Sequence, residues 1–196
     1  MKYQPFLDSI CNKITLTEEE KAILINHLLL KTYLKGQYIV QEGNVCKYQT
    51  FIISGKTRTF YLDEEGNEHI VNFGIENWWV GDVCSFTTQT PAEFNAQCLD
   101  KTTVVHMTYN DMEYLYQAIP KLERYFRLIM QKAYASMSKR IVRNHAMPAR
   151  ERYLLFIATY PNIAQRVPQY MIASYLGITK EFLSRMRKQI AEEQRS

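Results

Sequence analysis

The hydrophobic and polar positions of the chain change period along its length. Residues 15–32 open with Thr17 before three glutamates, and this arrangement of a cap with negative charge favours a helix start. From Tyr33 to Met107, short alternating or β-rich runs are separated by glycines, a pattern typical of strands joined by turns. We therefore expect a short N-terminal helix followed by an antiparallel barrel or jelly roll. Its clearest hairpin turn is residues 63–68, and residues 98–107 form its last strand.

From Asp111 onward the apolar period becomes helical, and Pro120 is predicted to start a long helix that runs to about His145. Apolar residues recur along it at steps of three and four: Leu122, Phe126, Ile129, Ala133 and Met137. Such a narrow seam is typical of helix pairing, and a second copy of the same helix is the simplest partner. The alternative is that the seam packs on the chain's own N-terminal domain. Met147 and Pro148 then break the helix and mark a domain boundary.

The segment 167–190 has the spacing of a helix-turn-helix. Pro168 suits the first turn of a helix, and Ala173 is small enough for two helices to cross closely. Gly177 can adopt the left-handed conformation that ends the first helix, and Thr179 can cap the second. In the second helix an apolar side is predicted from Phe182, Leu183, Met186 and Ile190.

The opposite, polar side of that second helix has the chemistry of a DNA major-groove surface. Arginine can bond a guanine edge bidentately, glutamate can accept from cytosine, and lysine can bind guanine or phosphate. The predicted DNA-binding residues are Thr179, Lys180, Glu181, Ser184, Arg185, Arg187 and Lys188. Arg187, Lys188 and Arg166 are candidate phosphate ligands. The alternative is an amphipathic helix pair whose charged side is merely solvated.

Charge supports the DNA-binding interpretation, because it divides the chain. Residues 1–118 hold 9 Lys and Arg against 15 Asp and Glu, whereas residues 119–196 hold 15 against 5. A basic module joined to an acidic one is typical of a nucleic-acid-binding domain attached to a domain with another role. We predict a sensor domain over 1–118, a dimerisation helix over 119–146 and a DNA-binding domain over 147–196.

No metal site, cofactor or membrane segment is predicted. The four cysteines are scattered without a C-x-x-C pair, and the four histidines are equally isolated. No apolar run approaches the length of a membrane span, and the first residues lack the apolar core of a signal peptide. We therefore expect a cytoplasmic protein that is not an enzyme.

Over essentially its whole length the chain resembles the Crp/Fnr family of bacterial transcription regulators. LKGQYIVQEG, FIISGKTRTFYLDEEGNE and WWVGD are similar to that family's cyclic-nucleotide-binding jelly roll. The glycines at its turn positions are Gly36, Gly43, Gly55, Gly66 and Gly81. The resemblance implies an α+β protein with a jelly roll, a dimerising helix and a C-terminal helix-turn-helix. It also implies a homodimer that binds a pseudo-palindromic site in double-stranded DNA and is switched by its N-terminal domain.

The chain departs from the family's nucleotide-binding members at one important point. Their cassette carries an acidic residue for the ribose and, about a dozen residues later, an arginine for the cyclic phosphate. Gly81, Asp82 and Val83 resemble the start of that cassette, but the arginine position falls near Phe94 and Asn95. No lysine or arginine occurs between Thr59 and Asp100. A possible effector pocket is outlined by Gly81, Asp82, Val83, Phe94 and Asn95. Cyclic nucleotides are not expected to bind there in the usual way, because the phosphate would lack its cation.

Other features of the family also lack support in the sequence. An oxygen-sensing cluster needs a group of cysteines near the N-terminus, where only Cys11 stands. Trp78, Trp79 and Phe86 could line an apolar ligand pocket, but aromatic residues beside strand glycines are more often core. The chain ends six residues after Ile190, so the wing that usually follows the recognition helix is expected to be missing or nearly so.

Two other functions are consistent with parts of this pattern. The first is a ligand-sensing module whose basic C-terminal domain docks a protein partner, although such a helix would not require the Lys180, Glu181 and Arg185 combination. The second, a cupin-type enzyme, is disfavoured because its chemistry needs clustered histidine and carboxylate ligands. We therefore predict a homodimeric, DNA-binding transcription regulator with an unidentified effector.

Overall fold

The computed structural model describes residues 2–193, and these fall into two compact units. The first unit contains the chain up to Tyr61 together with Asn72–Lys132. The second contains Leu62–Val71 and the chain from Ala133 onward. The second unit is therefore built from two separate parts of the sequence.

The first unit is a β-roll of two four-stranded sheets with flanking helices. Its helices are α1 (Gln4–Cys11), α2 (Glu18–Asn26), α3 (Val83–Thr88) and α4 (Tyr109–Ala118). The strands are β1 (Leu29–Tyr33), β2 (Tyr38–Val40), β3 (Tyr48–Ser54), β4 (Thr57–Leu62), β5 (Glu68–Gly74), β6 (Trp79–Val80), β7 (Asn95–Cys98) and β8 (Thr102–Thr108). One sheet has the order β1-β8-β3-β6 and the other β2-β7-β4-β5. The end of β4 and the start of β5 extend into the second unit. This architecture confirms the predicted jelly roll and α+β class.

The helix predicted over residues 15–32 is α2, and it is shorter than predicted. Thr17 does cap it, accepting from the backbone N–H of Glu20 while the Glu20 carboxylate accepts from that of Thr17. The helix nevertheless ends at Asn26, because residues 29–33 form β1 and pair antiparallel with β8. The prediction of one helix over 15–32 was therefore wrong in extent, since cross-strand pairing overrides a local helical pattern.

The last strand was also predicted as one piece and is two. Cys98 ends β7 and Thr102 starts β8, and the two strands lie in different sheets. Between them Asp100 accepts a hydrogen bond from the backbone N–H of Lys56 at 2.9 Å, which holds the corner. By contrast, the hairpin turn at 63–68 is confirmed, with Gly66 at φ +81°.

The core of the first unit is aromatic. Phe6 of α1 is fully buried, and its ring centroid lies 5.2 Å from that of Phe51 and 5.9 Å from that of Trp79. Trp79 also packs on Phe126, with centroids 5.2 Å apart. Phe86 is buried against Tyr109. Trp79 and Phe86 thus serve as core residues, which was the alternative to an aromatic ligand pocket.

The helices of the C-terminal half follow one another with short connections. They are α5 (Lys121–Ala146), α6 (Ala149–Thr159), α7 (Pro161–Arg166), α8 (Gln169–Leu176) and α9 (Lys180–Glu193). α5 matches the predicted long helix, and the break at Pro148 is confirmed. α7 was not predicted from the sequence, and it begins at Pro161, a residue type that suits the first turn of a helix.

The β4–β5 hairpin is tied to α8 within the second unit. Ser174 donates from Oγ to the carbonyl of Glu68 at 3.2 Å and accepts from the N–H of Ile70 at 2.9 Å. Arg140 of α5 donates to the carbonyl of Val71, and its guanidinium lies 5.1 Å from the centroid of the Tyr175 ring. The hairpin is thus an integral part of the C-terminal unit. Among the helices of residues 2–193, none is both long and apolar enough to cross a membrane.

Candidate nucleic-acid interface

The turn between α8 and α9 has the geometry of a tight helix-turn-helix. Gly177 ends α8 with φ +67°, a left-handed conformation that favours glycine. The following N–H, of Ile178, donates to the carbonyl of Ala173 at 3.0 Å. Thr179 then caps α9 by accepting from the N–H of Phe182 at 3.1 Å. The predicted roles of Gly177 and Thr179 are therefore confirmed.

Apolar packing fixes the position of α9 against α8. The buried residues of the pair are Met171, Ile172, Ala173, Leu176, Leu183 and Met186. Phe182, which was predicted to belong to this apolar side, is instead 43% exposed. Its direction around α9 lies only about 40° from that of Met186, since successive residues turn by about 100°. The prediction failed because neighbouring elements decide which part of an apolar side is covered, and they leave Phe182 in solvent.

The exposed side of α9 faces an open cleft of about 680 Å³. Its lining residues are Lys180, Glu181, Ser184 and Arg185 of α9 with Gln169 and Tyr170 of α8. Four of the seven predicted DNA-binding residues are therefore brought to one surface. Arg187 and Lys188 are exposed on α9 outside this lining, and Thr179 is used as the cap.

Sequence analysis missed Gln169 and Tyr170. The sequence pattern of α8 is dominated by its apolar side, and these two residues precede Met171 and Ile172, which are buried. The available signal was Tyr170 itself, a large side chain with a polar tip in the first turn after Pro168. It is 51% exposed in the structure.

The charges of the interface are exposed and lightly paired. The Lys180 ammonium lies 3.7 Å from the Glu181 carboxylate, and that of Lys188 lies 3.9 Å from Glu192. Within residues 2–193, neither Arg185 nor Arg187 forms an ion pair. Exposed ion pairs are weak, so these cations can exchange their contacts for those of an anionic partner at little cost.

The cassette in the first unit is held together by its own polar groups. Asp82 is buried, and its carboxylate accepts from the N–H of Ser85 at 3.0 Å and from that of Glu93 at 3.1 Å. Asn95 accepts from the N–H of Glu42 at 3.0 Å and donates to its carboxylate at 3.1 Å. Both polar side chains of the predicted pocket therefore already hold backbone. Its other members differ in exposure, since Val83 is 47% exposed and Phe94 is half-buried.

A buried cation stands on the neighbouring strand. Arg58 of β4 is 7% exposed, and its Nε donates to the Gln97 side chain of β7 at 3.0 Å. Its guanidinium lies 4.3 Å from the centroid of the Phe60 ring. Arg58 is engaged in these contacts, and sequence analysis did not single it out because it precedes the cassette.

A buried histidine of β8 lies within hydrogen-bond distance of side chains on both neighbouring strands, β1 and β3. His106 of β8 is fully buried, with Nε2 2.9 Å from the Tyr33 hydroxyl and Nδ1 2.8 Å from that of Thr50. The Tyr48 ring stacks on it at 4.6 Å. Burial lowers the pKa of His106 to about 4, so the imidazole is neutral at physiological pH.

The apolar seam of α5 divides into two parts. Leu122 and Phe126 are buried within the first unit, and Ile129 packs partly against the same core. Ala133 and Met137 are exposed. Further large apolar side chains on this exposed stretch are Met130, Tyr134, Ile141 and Val142. The first turns of the predicted seam are therefore packed on the chain's own N-terminal domain, which was the alternative to helix pairing, and the later turns carry exposed apolar side chains.

No metal centre is formed in the part of the chain that the structure describes, since no three His, Cys, Asp or Glu residues are placed to hold an ion. The four cysteines are free thiols, with Cys46 and Cys98 buried and Cys11 and Cys84 exposed. The expectation about the wing concerns residues beyond α9, and the segment after Glu193 lies outside the described residues.

Comparison with known proteins gives a consistent picture. The family described as cyclic nucleotide-binding domain matches residues 30–118. The chain is 27% identical to electron transport regulator A of Shewanella oneidensis over 198 residues, covering 92% of this chain and 76% of the relative. It is 27% identical over 192 residues to the fumarate and nitrate reduction regulatory protein of Yersinia pestis, with the same coverage. The solved structure of the global regulator CLP of Xanthomonas campestris, described as c-di-GMP responsive, matches with a TM-score of 0.73 at 14% identity, covering 91% of this chain and 93% of that one.

These findings agree with the helix-turn-helix at the C-terminus. They are the match of residues 30–118 to the cyclic nucleotide-binding domain, the similarity to the two regulators and the fold shared with the solved structure. Together these findings support a Crp/Fnr family transcription regulator.

Proposed function

We propose that this regulator acts as a homodimer that binds a pseudo-palindromic site in double-stranded DNA through α9. The observation that carries the proposal is the exposed surface formed by Lys180, Glu181, Ser184 and Arg185 beside a closed helix-turn-helix turn. A cation, a carboxylate and a hydroxyl on one helix can contact base edges, whereas phosphate binding alone needs only positive charge.

The second copy is proposed to pair through the later turns of α5. Met130, Tyr134, Met137 and Ile141 are at least 40% exposed and recur at steps of four, three and four. Four large apolar side chains in that register form the seam of a helix pair. A dimer with a two-fold axis presents two copies of α9, which fit half-sites about 34 Å apart in successive major grooves. Such a dimer acts where the DNA is, in the cytoplasm.

The effector site is proposed at the cassette, formed by Gly81, Asp82, Val83, Phe94 and Asn95. Asp82 and Asn95 are occupied by backbone groups, so an effector would contact this site through exposed backbone or apolar atoms. A cyclic phosphate would find no lysine or arginine on the cassette itself. The ligand class is therefore expected to differ from cyclic AMP and cyclic GMP.

Binding to DNA tests the central part of this proposal. A site is first selected from random duplexes, and the wild-type chain, Arg185→Ala and Lys35→Ala are then measured on that site and on scrambled DNA. Lys35 is an exposed lysine of the first unit and controls for the loss of one positive charge. We expect Arg185→Ala to lose about 1–3 kcal/mol on the selected site and far less on scrambled DNA. Equal loss on both DNAs would make Arg185 a backbone contact, and failure to select any sequence would favour a protein-docking role for this surface.

A further inference from the structure

Phe182 is a large apolar side chain in the first turn of α9, and the fold leaves it partly exposed to solvent. It is 43% exposed and follows Lys180 and Glu181 in the sequence. Within residues 2–193 its ring makes no contact with another aromatic ring. Leu183 and Met186, at 1% and 5% exposure, already supply the apolar anchor of this helix. Packing within residues 2–193 therefore leaves part of the Phe182 side chain accessible to a partner.

The position of Phe182 relative to the interface is well defined. Its backbone N–H is held by the Thr179 hydroxyl, so the first turn of α9 has a fixed start. Arg185 follows three residues later, and side chains three apart are neighbours on a helix surface. Phe182 consequently flanks the surface that carries Arg185, at the end of the helix that enters the groove in this class of motif.

The chemistry of the groove restricts what a phenyl ring can contact there. A hydrocarbon ring cannot form hydrogen bonds with the donors and acceptors of the bases or with the charged phosphates. The apolar feature of the major-groove edge is the 5-methyl group of thymine. A ring that is partly exposed in the free protein gains by covering that methyl group, since both surfaces leave water.

We propose that Phe182 is a specificity-determining residue that contacts the 5-methyl group of a thymine next to the base contacted by Arg185. This inference rests on the proposed DNA-binding function and adds a thymine preference to it. Each half-site of a dimer would then contain one thymine whose methyl group contributes to binding.

The test replaces single thymines of the selected site by deoxyuridine, which keeps the base pair and removes only the methyl group. We expect one thymine per half-site at which deoxyuridine weakens wild-type binding about fourfold. This is the change in the binding constant that corresponds to burying about one methylene or methyl group. In Phe182→Ser the same substitution should have no effect, and in Phe182→Leu a reduced one. Tyr170→Ser is the matched control, because it removes another exposed aromatic ring of this surface and should keep the fourfold effect.

Different outcomes separate this inference from the proposed function. If wild type binds its selected site but tolerates deoxyuridine everywhere, DNA recognition stands and the inference is wrong. The inference is also wrong if Phe182→Ser retains the deoxyuridine effect, that is, if this variant weakens binding to the thymine and deoxyuridine sites equally. A wild-type chain that selects no DNA sequence would overturn the proposed function and the inference with it. Because Phe182 is exposed, Phe182→Ser is expected to fold, which circular dichroism and thermal melting check directly.

Discussion

Protonation of His106 should make the fold sensitive to acid. The imidazole is fully buried and both ring nitrogens lie within hydrogen-bond distance of hydroxyl groups, Nε2 near Tyr33 and Nδ1 near Thr50. Burial, with a smaller contribution from the nearby Lys31 charge, lowers its pKa from 6.5 to about 4. The unfolded chain keeps the ordinary value, so the two states bind the proton at different pH.

The sign and size of the effect follow from this difference in pKa. Above pH 6.5 the histidine is neutral in both states, and its contribution to stability is fully present. As the pH falls, the unfolded chain takes up the proton first, and the folded chain follows only near pH 4. The free energy of unfolding should therefore fall by about 2 kcal/mol between pH 7 and pH 5 from this residue alone.

Urea unfolding at fixed protein concentration measures the effect, with tryptophan fluorescence as the signal. Trp78 and Trp79 belong to the same unit as His106, so the signal reports the relevant unit. His106→Gln removes the titrating group while keeping hydrogen-bonding capacity. The difference in the free energy of unfolding between wild type and this variant should therefore shrink by about 2 kcal/mol as the pH falls from 7 to 5. His145→Gln, which changes an exposed histidine, should parallel wild type throughout. A constant difference between wild type and His106→Gln across this range would refute the reasoning.

Four further predictions concern the dimer, the effector, phosphate contacts and the hairpin. Tyr134→Glu with Met137→Glu should halve the mass found by light scattering at micromolar concentration, because both side chains are exposed in one chain, and a dimer that persists would contradict pairing through this seam. Cyclic AMP and cyclic GMP should give no calorimetric signal of micromolar affinity, and such a signal would show that other groups replace the cassette arginine. Lys188→Ala should weaken binding to all DNA sequences and reduce the salt dependence by about one unit, whereas a change confined to one sequence would make it a base contact. Ser174→Ala should lower the free energy of unfolding by about 1–3 kcal/mol, since it leaves the Ile70 N–H without its acceptor, and urea unfolding with no loss would show that water replaces the hydroxyl.

The helix-turn-helix was predictable because its signals act within a few residues. Gly177 and Thr179 end and start their helices through hydrogen bonds to residues three to five positions away, and such local geometry depends little on the rest of the chain. That Glu181 and Arg185 share one exposed surface of α9 was predictable for the same reason, since helical periodicity alone places them one turn apart.

The features that sequence analysis missed depend on distant partners. β1 looked helical from its neighbours, and only pairing with β8 makes it a strand. Phe182 has the direction of an apolar residue around α9, but the absence of a covering element decides its exposure. Arg58 lies outside the cassette in sequence, and its place beside Gln97 follows from the register of β4 with β7. None of these relations leaves a periodic trace in the chain itself.

The bonds between Ser174 and the hairpin also set an order of events during synthesis. Residues 62–71 leave the ribosome about a hundred residues before α8, yet Ser174 joins them across sequence separations of 104 and 106. Contacts between segments so far apart form late, because the intervening chain must first be made and ordered. The bond from the Ile70 N–H to Ser174 cannot form until α8 has been synthesised. A fragment that starts at Ala133 would likewise lack the hairpin, so the second unit cannot be cut out of this protein as one continuous piece without losing part of its own structure.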